Sequence, residues 1–439
     1  MQNLSEETRE TGYAWYALAL LMVVYIVNFL DRQIIYILLP LIKKDMAFTD
    51  LELAFLSGTP FVIFYTLLGI PFGWAADKKS RTKLIAVGLA VWSLFSGLTG
   101  LANGFWTLFA CRLMVGVGEA TLGPAAISLL SDYFSPGKRA TVTSIYSMGI
   151  AIGAGLAAIF GGYLSQYGWR EAFYVVGFPG VIFAILVFLL REPARTATEN
   201  PELQRPPPPP KFDGGEEQIE PPGIAPQASE TSSNRNRGIY SMPFVLLCLG
   251  YGLFGLATNN ISVWGATYFN RIFETPLPRY GYLAGIATLL AGIPATIFGG
   301  LIADKFRKKS VGGRMYFGAC LSLVSVPCWL IALFSDNFAL IIPAGVILLF
   351  AALAWLGAAA ADATEISGAK LRGVAVAIYF FTVNIAAYLI GANLIGKLSD
   401  ILGSAQNPAM LRYALLICPV CCLLGAILLY AGGKTRSRK

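Results

Sequence analysis

Twelve apolar stretches of about 20 residues or more follow one another along the chain, at roughly 14–42, 51–76, 83–103, 105–130, 140–166, 171–190, 242–270, 280–303, 313–335, 338–362, 372–401 and 409–431. Each is long enough to cross about 30 Å of hydrocarbon. A backbone in lipid must satisfy its own hydrogen bonds, which leaves helices or a closed barrel. Barrel strands would be short and alternating, so the stretches read as helices. The chain is 56% hydrophobic and 13% charged, against roughly 25% charged in soluble domains, too little to cover a surface facing water. The expected fold is an all-α membrane protein of twelve transmembrane helices. The N-terminus (Glu6, Glu7, Arg9, Glu10) is not basic and the first apolar stretch is too long, so no signal peptide is expected.

The net charge of +8 invites a nucleic-acid reading, but its distribution points elsewhere. Connections after even-numbered stretches carry Lys78, Lys79, Arg81, Lys83, Lys138, Arg139, Lys305, Arg307, Lys308, Lys309, Arg314, Lys370 and Arg372. Those after odd-numbered stretches carry only Lys43, Lys44, Arg170, Arg271, Arg279 and Arg412. The richer side is cytoplasmic by the positive-inside rule. Both termini are then cytoplasmic, and an inner-membrane, multi-pass location in a bacterium is the expectation. The basicity is topological, and no nucleic-acid partner is expected.

The chain says one phrase twice. Gly73-Trp-Ala-Ala-Asp77-Lys78 closes the second stretch, and Gly300-Leu-Ile-Ala-Asp304-Lys305 closes the eighth, 227 residues later. Pro136-Gly-Lys-Arg139 before the fifth stretch is echoed by Ala369-Lys-Leu-Arg372 before the eleventh. Residues 191–240 break the apolar pattern with Pro206 to Pro210 followed by Gly, Ser, Asn and acidic residues. They read as a solvated polyproline-containing linker, with a partner-binding role for the Pro run as the alternative. The layout is therefore a bundle over 1–190, a cytoplasmic linker over 191–240, and a second bundle over 241–439. Duplicated halves in a membrane protein place a site at their interface.

At these residues the chain resembles a known family. The repeated Gly-x-x-x-Asp-Lys phrase, Arg112-Leu-Met-Val-Gly-Val-Gly-Glu119 and Gly168-Trp-Arg-Glu-Ala-Phe173 resemble motifs of the major facilitator superfamily. Asn28-Phe-Leu-Asp31-Arg32, together with Arg112 and Glu119, resembles the Spinster family within it, although a first-span Asp-Arg also occurs in organic-anion symporters. The resemblance implies two six-helix bundles related by pseudo-twofold symmetry, with spans 1, 4, 7 and 10 lining a central cavity. It implies alternating access and the movement of lysolipids or sphingoid phosphates, proton-coupled in bacterial members. It also implies a cytoplasmic gate of Asp77, Arg139, Asp304 and Arg372 that ties the inner ends together when the cavity opens outward. Ordinary capping and topology is the plainer account of those four.

A charge at the bilayer centre costs about 2.5–3.5 kcal/mol on insertion scales, so each buried one needs a reason. Asp31 falls about 15 Å below the outer edge, Arg112 about 10 Å and Glu119 about 21 Å. Arg112 and Glu119, two turns apart, share a face. The three can form a vertical chain in which Arg112 holds or releases two proton-carrying carboxylates, since burial and a guanidinium act on a carboxyl in opposite senses. The plain alternative is a static ion pair that fixes packing. Arg32 turns about 100° from Asp31, toward an anionic group in the cavity or toward a neighbouring helix. Asn28, Tyr36, Tyr65, Asn259, Asn260, Trp264, Asn384 and Tyr388 are the further substrate-lining candidates, each with packing as an equal reading. Few polar groups among aromatics suit an amphiphile with one charged end.

The partners expected are an amphipathic lipid or organic anion, protons and membrane lipids, around a monomer. No cofactor is expected. The cysteines 418, 421 and 422 have a metal-like spacing, but His is absent and the helix is apolar, so they read as packing and no metal is expected. Neither a G-x-x-x-x-G-K-[ST] loop nor a His is present, which argues against an ATP-driven pump or an enzyme. The alternatives are an organic-anion or drug transporter of the same fold, and a lipid scramblase.

Overall fold

The computed structural model describes residues 12–135, 137–193, 238–368 and 371–437. Most of the Pro-rich linker, residues 194–237, lies outside them. All twelve apolar stretches are helices: α1 (Gly12–Met46), α2 (Asp50–Lys78), α3 (Arg81–Leu101), α4 (Phe105–Tyr133), α5 (Thr141–Leu164), α6 (Trp169–Phe188), α7 (Met242–Ile272), α8 (Leu277–Lys309), α9 (Gly313–Phe334), α10 (Phe338–Ser367), α11 (Arg372–Ile401) and α12 (Met410–Ser437). There is no strand among the described residues. Consecutive spans run in opposite directions, so the lysine- and arginine-rich connections gather at one end, here the basic end.

Several spans are interrupted within their length. Helix α4 pauses between Glu119 and Leu122. Helix α10 pauses at Trp355, and α11 widens to a π-helix over Ile385–Gly391. Such π segments leave backbone carbonyls misaligned and are frequent at functional sites.

Helices α5 and α8 approach backbone to backbone. A Cβ on Gly281 would fall 2.3 Å from the Ala158 carbonyl oxygen, and one on Gly162 would fall 2.9 Å from the Gly281 Cα. Close approach of small residues is how helices associate in lipid, where no hydrophobic effect drives them together.

The two ends differ. At the end away from the basic loops, Asp50 opens α2 and is wholly buried. Its carboxylate accepts from Arg271 at the end of α7 (2.5 and 2.8 Å), from Ser399 of α11 (2.5 Å), from Ser404 (3.1 Å) and from Lys43. Asp400 of α11 returns the tie, accepting from the backbone N–H groups of Asp50 and Leu51 at 2.9 Å each. Those N–H groups are free because they begin a helix, and the positive end of α2 favours the Asp400 carboxylate. A Thr49–Glu52 capping box satisfies the rest of the turn. This clasp joins the first six spans to the last six.

At the basic end the ion networks stay local. Arg81 of α3 binds Glu192 (2.7 Å) and Asp132. Burial pushes the Glu192 carboxyl up, yet hydrogen bonds from the Thr82 backbone, Arg81 and Ser80 outweigh it and hold the group below its ordinary range. Among the last six spans, Arg436 of α12 binds Asp362 (2.7 Å) and Glu365 (2.9 Å) of α10, and Arg314 of α9 binds Asp304 (2.8 Å) and Glu365 (2.9 Å).

Replacing Asp50 with Asn leaves Arg271 and Lys43 without their counter-charge. Removing one member of a buried pair costs about 3–5 kcal/mol, so D50N is expected to lower the thermal transition of the purified protein. It is also expected to increase maleimide labelling of a cysteine placed at Leu51. Labelling no faster than in L51C alone would remove the clasp as the element that joins the halves.

Candidate functional site

One cavity of about 2,120 Å³ lies between the two sets of six spans. Its wall is drawn from α1, α2, α4, α5, α7, α8, α10 and α11, which is wider than the four spans the resemblance implies. It extends past Gly69, Gly300 and Gly373 near the basic end. At the other end the Asp50 clasp holds the two sets of spans together, and the lining reaches Glu274 and Arg279.

The polar pole of the cavity sits where α1 meets the break in α4. Arg32 donates to Glu119 Oε2 twice, from Nη2 at 2.6 Å and from Nε at 3.0 Å. Glu119 is buried to 1% exposure, whereas Arg32 keeps an edge on the cavity. The guanidinium carbon lies 4.8 Å from the Phe29 ring centroid, 4.6 Å from Phe61 and 5.0 Å from Tyr65. Three ring faces and one carboxylate replace the water that Arg32 would have outside the membrane.

This differs from the expected chain of acid, base and acid. Arg112 does not bond Glu119 or Asp31. It is wholly buried, its guanidinium has no protein hydrogen-bond partner among the described residues, and it faces the Phe61 ring at 6.0 Å. The reason is geometric. Seven residues of helix separate Arg112 from Glu119 by about 10 Å, more than a side chain folded back along the helix covers, whereas Arg32 reaches across directly. Asp31 is also wholly buried. It faces α3 rather than the cavity, and its Oδ1 accepts from Ser96 Oγ at 2.8 Å. Asp31 and Arg112 therefore lie behind the wall, and Arg32 and Glu119 on it.

Of the further lining candidates, Asn28, Tyr36, Tyr65, Asn259, Asn384 and Tyr388 lie on the cavity wall, although Asn28 and Tyr36 are almost fully covered. Asn260 and Trp264 do not. Asn260 is turned into the α7–α11 contact, where its Nδ2 donates to the Leu256 (2.7 Å) and Ala387 (3.3 Å) carbonyls. The second bond satisfies a carbonyl of the π segment. Trp264 is packed in the core. Tyr388, in that π segment, donates to Asn259 Oδ1 at 2.8 Å, which fixes both groups at the cavity surface. The expected list omitted Tyr25, Phe29, Gln33 and Phe61, which also line it. Tyr25, Phe29, Arg32 and Tyr36 fall on one helical stripe, so a strict count along α1 from Arg32 finds two of the four.

Among the described residues no hydrogen bond or ion pair joins one proposed gate residue to another. Asp77 and Arg372 are exposed. Arg139 donates from Nε to the Ser131 carbonyl at 2.8 Å, and Asp304 accepts from Arg314. The ion pairs Arg81–Glu192, Arg81–Asp132, Arg314–Asp304 and Arg436–Asp362 at the basic end each lie within one set of spans.

Twelve crossing helices around a cavity that is clasped at one end and carries a buried charge pair on its wall form a membrane transporter. The chain belongs to the Major Facilitator Superfamily, whose sequence profile matches residues 21–387, and it is an integral multi-pass membrane protein. It is similar to protein spinster homolog 3 of Danio rerio, 26% identical over 94% of this chain and 84% of the relative. It is also similar to an MFS-type efflux pump of Mycolicibacterium smegmatis, 23% identical over 97% of this chain and 94% of the relative. In fold it matches the crystal structure of a bacterial homolog to the human lysosomal transporter Spinster, inward-facing and occupied. There the TM-score is 0.78 and the identity 23%, over 97% of this chain and 98% of that one.

Removing Arg32 strands a buried carboxylate, so Arg32→Ala is expected to cost roughly 3–5 kcal/mol, seen as a lower thermal transition by tryptophan fluorescence. An apolar replacement of both partners, Arg32→Met with Glu119→Leu, is expected to restore most of that stability. A double variant no more stable than R32A would show that the pair is not the source of the loss.

Proposed function

We propose that the protein is a proton-coupled secondary transporter for amphiphiles with an anionic head, of the lysolipid or sphingoid-phosphate kind, working by alternating access. The observation that carries this reading is the Arg32–Glu119 pair, with the arginine edge on the cavity and the carboxylate behind it. An incoming anionic head competes with Glu119 for Arg32. Once released, Glu119 is a buried carboxylate without its counter-charge, and taking a proton removes the cost of that charge. Loss of the head returns Arg32 to Glu119 and expels the proton. Asp31 is the second carrier, held by Ser96, and Arg112 biases both by its charge.

The rest of the wall supports an amphiphile over a small acid. Arg32 and Glu119 place their charges at α1 and α4, whereas the α10 and α11 side presents mainly apolar groups such as Val346, Leu349, Phe380 and Phe381, with Asn384 and Tyr388 as its polar ones. The volume exceeds the roughly 300–1,000 Å³ of pockets for compact ligands. A small organic anion or a drug would use Arg32 as well, which is the second reading.

In this proposal the basic end is cytoplasmic, both termini face the cytoplasm of a bacterial inner membrane, and the conformation described is inward-open. The bundles over 1–190 and 241–439 rock as monomeric halves about the linker 191–240. Asp77, Arg139, Asp304 and Arg372, not bonded to one another here, meet when the basic end closes.

Proteoliposomes with an imposed pH gradient test the coupling. Asp31→Asn and Glu119→Gln are each expected to abolish gradient-driven accumulation of a lysolipid, while exchange at equal pH persists. Undiminished accumulation in both variants would end the coupling argument, and wild-type flux indifferent to the gradient would favour a scramblase. Displacement of bound lysolipid by small organic acids alone would favour the organic-anion reading.

A further inference from the structure

The cavity does not stop at the Arg32 pole. It continues toward the clasped end as a slot between α8 and α10. Leu283, Ala284 and Ala287 form one wall, and Ile342, Val346 and Leu349 the other. Nearer the basic end the two helices touch: a Cβ on Gly299 would fall 2.4 Å from the Ala354 carbonyl oxygen, and one on Gly292 would fall 2.8 Å from Leu353. At the far end rings line the slot. Phe273 lies tilted against Phe338 at 5.1 Å between centroids, and Phe269 tilted against Tyr280 at 5.3 Å, with Glu274 and Arg279 beyond them. From Leu349 to Phe338 the slot runs about 16 Å along α10.

Gly345 stands on this wall, within α10. A helix-interior glycine costs about 1 kcal/mol relative to alanine, and in this fold such glycines usually permit close packing, as Gly299 does. Gly345 permits none: a Cβ there would meet nothing within 4 Å. Gly69, Gly300, Gly357 and Gly373 share that openness and also line the cavity. Gly69, Gly300 and Gly373 lie near the basic end, where another conformation brings the helices together. Gly345 lies in the clasped half, beyond that explanation. Its missing side chain keeps the slot wide.

We propose that the α8–α10 slot holds the hydrocarbon tail of the amphiphile, with the head at Arg32, and that Gly345 sets the longest tail accepted. The proposal rests on the amphiphile reading above. The occupant follows from continuity: the two walls named above are apolar, they continue from the cavity that carries the Arg32 edge, and their length of about 16 Å suits an extended chain.

The test uses the full-length protein in lipid nanodiscs and two probes with one head, octyl phosphate and hexadecyl phosphate. Wild type is expected to bind hexadecyl phosphate more tightly. Gly345→Phe, which has room for its ring, is expected to weaken hexadecyl phosphate by about tenfold or more, the equivalent of roughly two buried methylenes. Octyl phosphate is expected to change less than twofold. Ala287→Leu on the facing wall is expected to act in the same direction and stands in should Gly345→Phe fold poorly. Gly357→Phe, in the basic half of the same helix, is expected to change both affinities by one common factor. An unchanged hexadecyl-to-octyl ratio in both Gly345→Phe and Ala287→Leu would place the tail elsewhere and overturn the proposal. Failure of wild type to bind either phosphate would instead overturn the amphiphile reading on which it rests.

Discussion

A carboxylate cannot rest in hydrocarbon alone, and the first half of this chain is arranged around that constraint. Glu119 lies at a break in α4, where its backbone turn aims the side chain across the interface to Arg32 of α1. The arginine is in turn enclosed by the rings of Phe29, Phe61 and Tyr65. Phe61 also faces Arg112, so one aromatic ring serves two guanidinium groups. Asp31 has Ser96 of α3 on one oxygen, whereas its other oxygen and the Arg112 guanidinium have no hydrogen-bond partner among the described residues. Arg32 and Glu119 are thus each other's charged neighbours. The cost of burying them is offset only while those neighbours hold, which makes the site sensitive to any ligand that takes one partner away.

The same economy of partners separates the two ends of the molecule. At the clasped end Asp50 is shared by α2, α7 and α11, and the cap that Asp400 places on α2 binds the halves through backbone as well as side chains. At the basic end each half satisfies its own charges, Arg81 with Glu192 and Asp132, Arg436 and Arg314 with Asp362 and Glu365. A half whose ionic demands are already met can swing away without stranding a charge. That is a physical reason for one end to part while the other is held.

The spans were legible in the sequence because hydrocarbon imposes one requirement, length without charge, and all twelve apolar stretches became helices. The burial of Asp31, Arg112 and Glu119 was legible too, because each lies well inside an apolar stretch. Their pairing was not. Arg32 and Asp31 differ by one residue and about 100° of rotation, and only the tilt of α1 against α4 decides which of them meets Glu119. The same rotation sends Asn259 to the cavity and Asn260 to the carbonyl of Ala387. No local pattern announces the π segment that needs that asparagine. The clasp was invisible for another reason: Asp50 and Asp400 sit at span ends 350 residues apart, where a lone acidic residue reads as an ordinary cap.

The distribution of small residues ties packing to the shape of the cavity. Where glycines of α5 and α8 oppose each other, the absence of a side chain brings the backbones of the two halves together. Where a glycine of α10 faces open space, the same absence makes volume. Both uses lie within one layer of helices, because α8 carries its Gly281 and Gly285 toward α5 and its Ala284 and Ala287 toward the slot. In the alternating access proposed above, a rocking motion about the α5–α8 contact would carry the slot with the second half, while the Arg32–Glu119 pair stays with the first. An amphiphile spanning both would feel that motion as a pull between its two ends, so its transfer would depend on which end lets go first. The charged end is the one whose competitor, Glu119, is already in place.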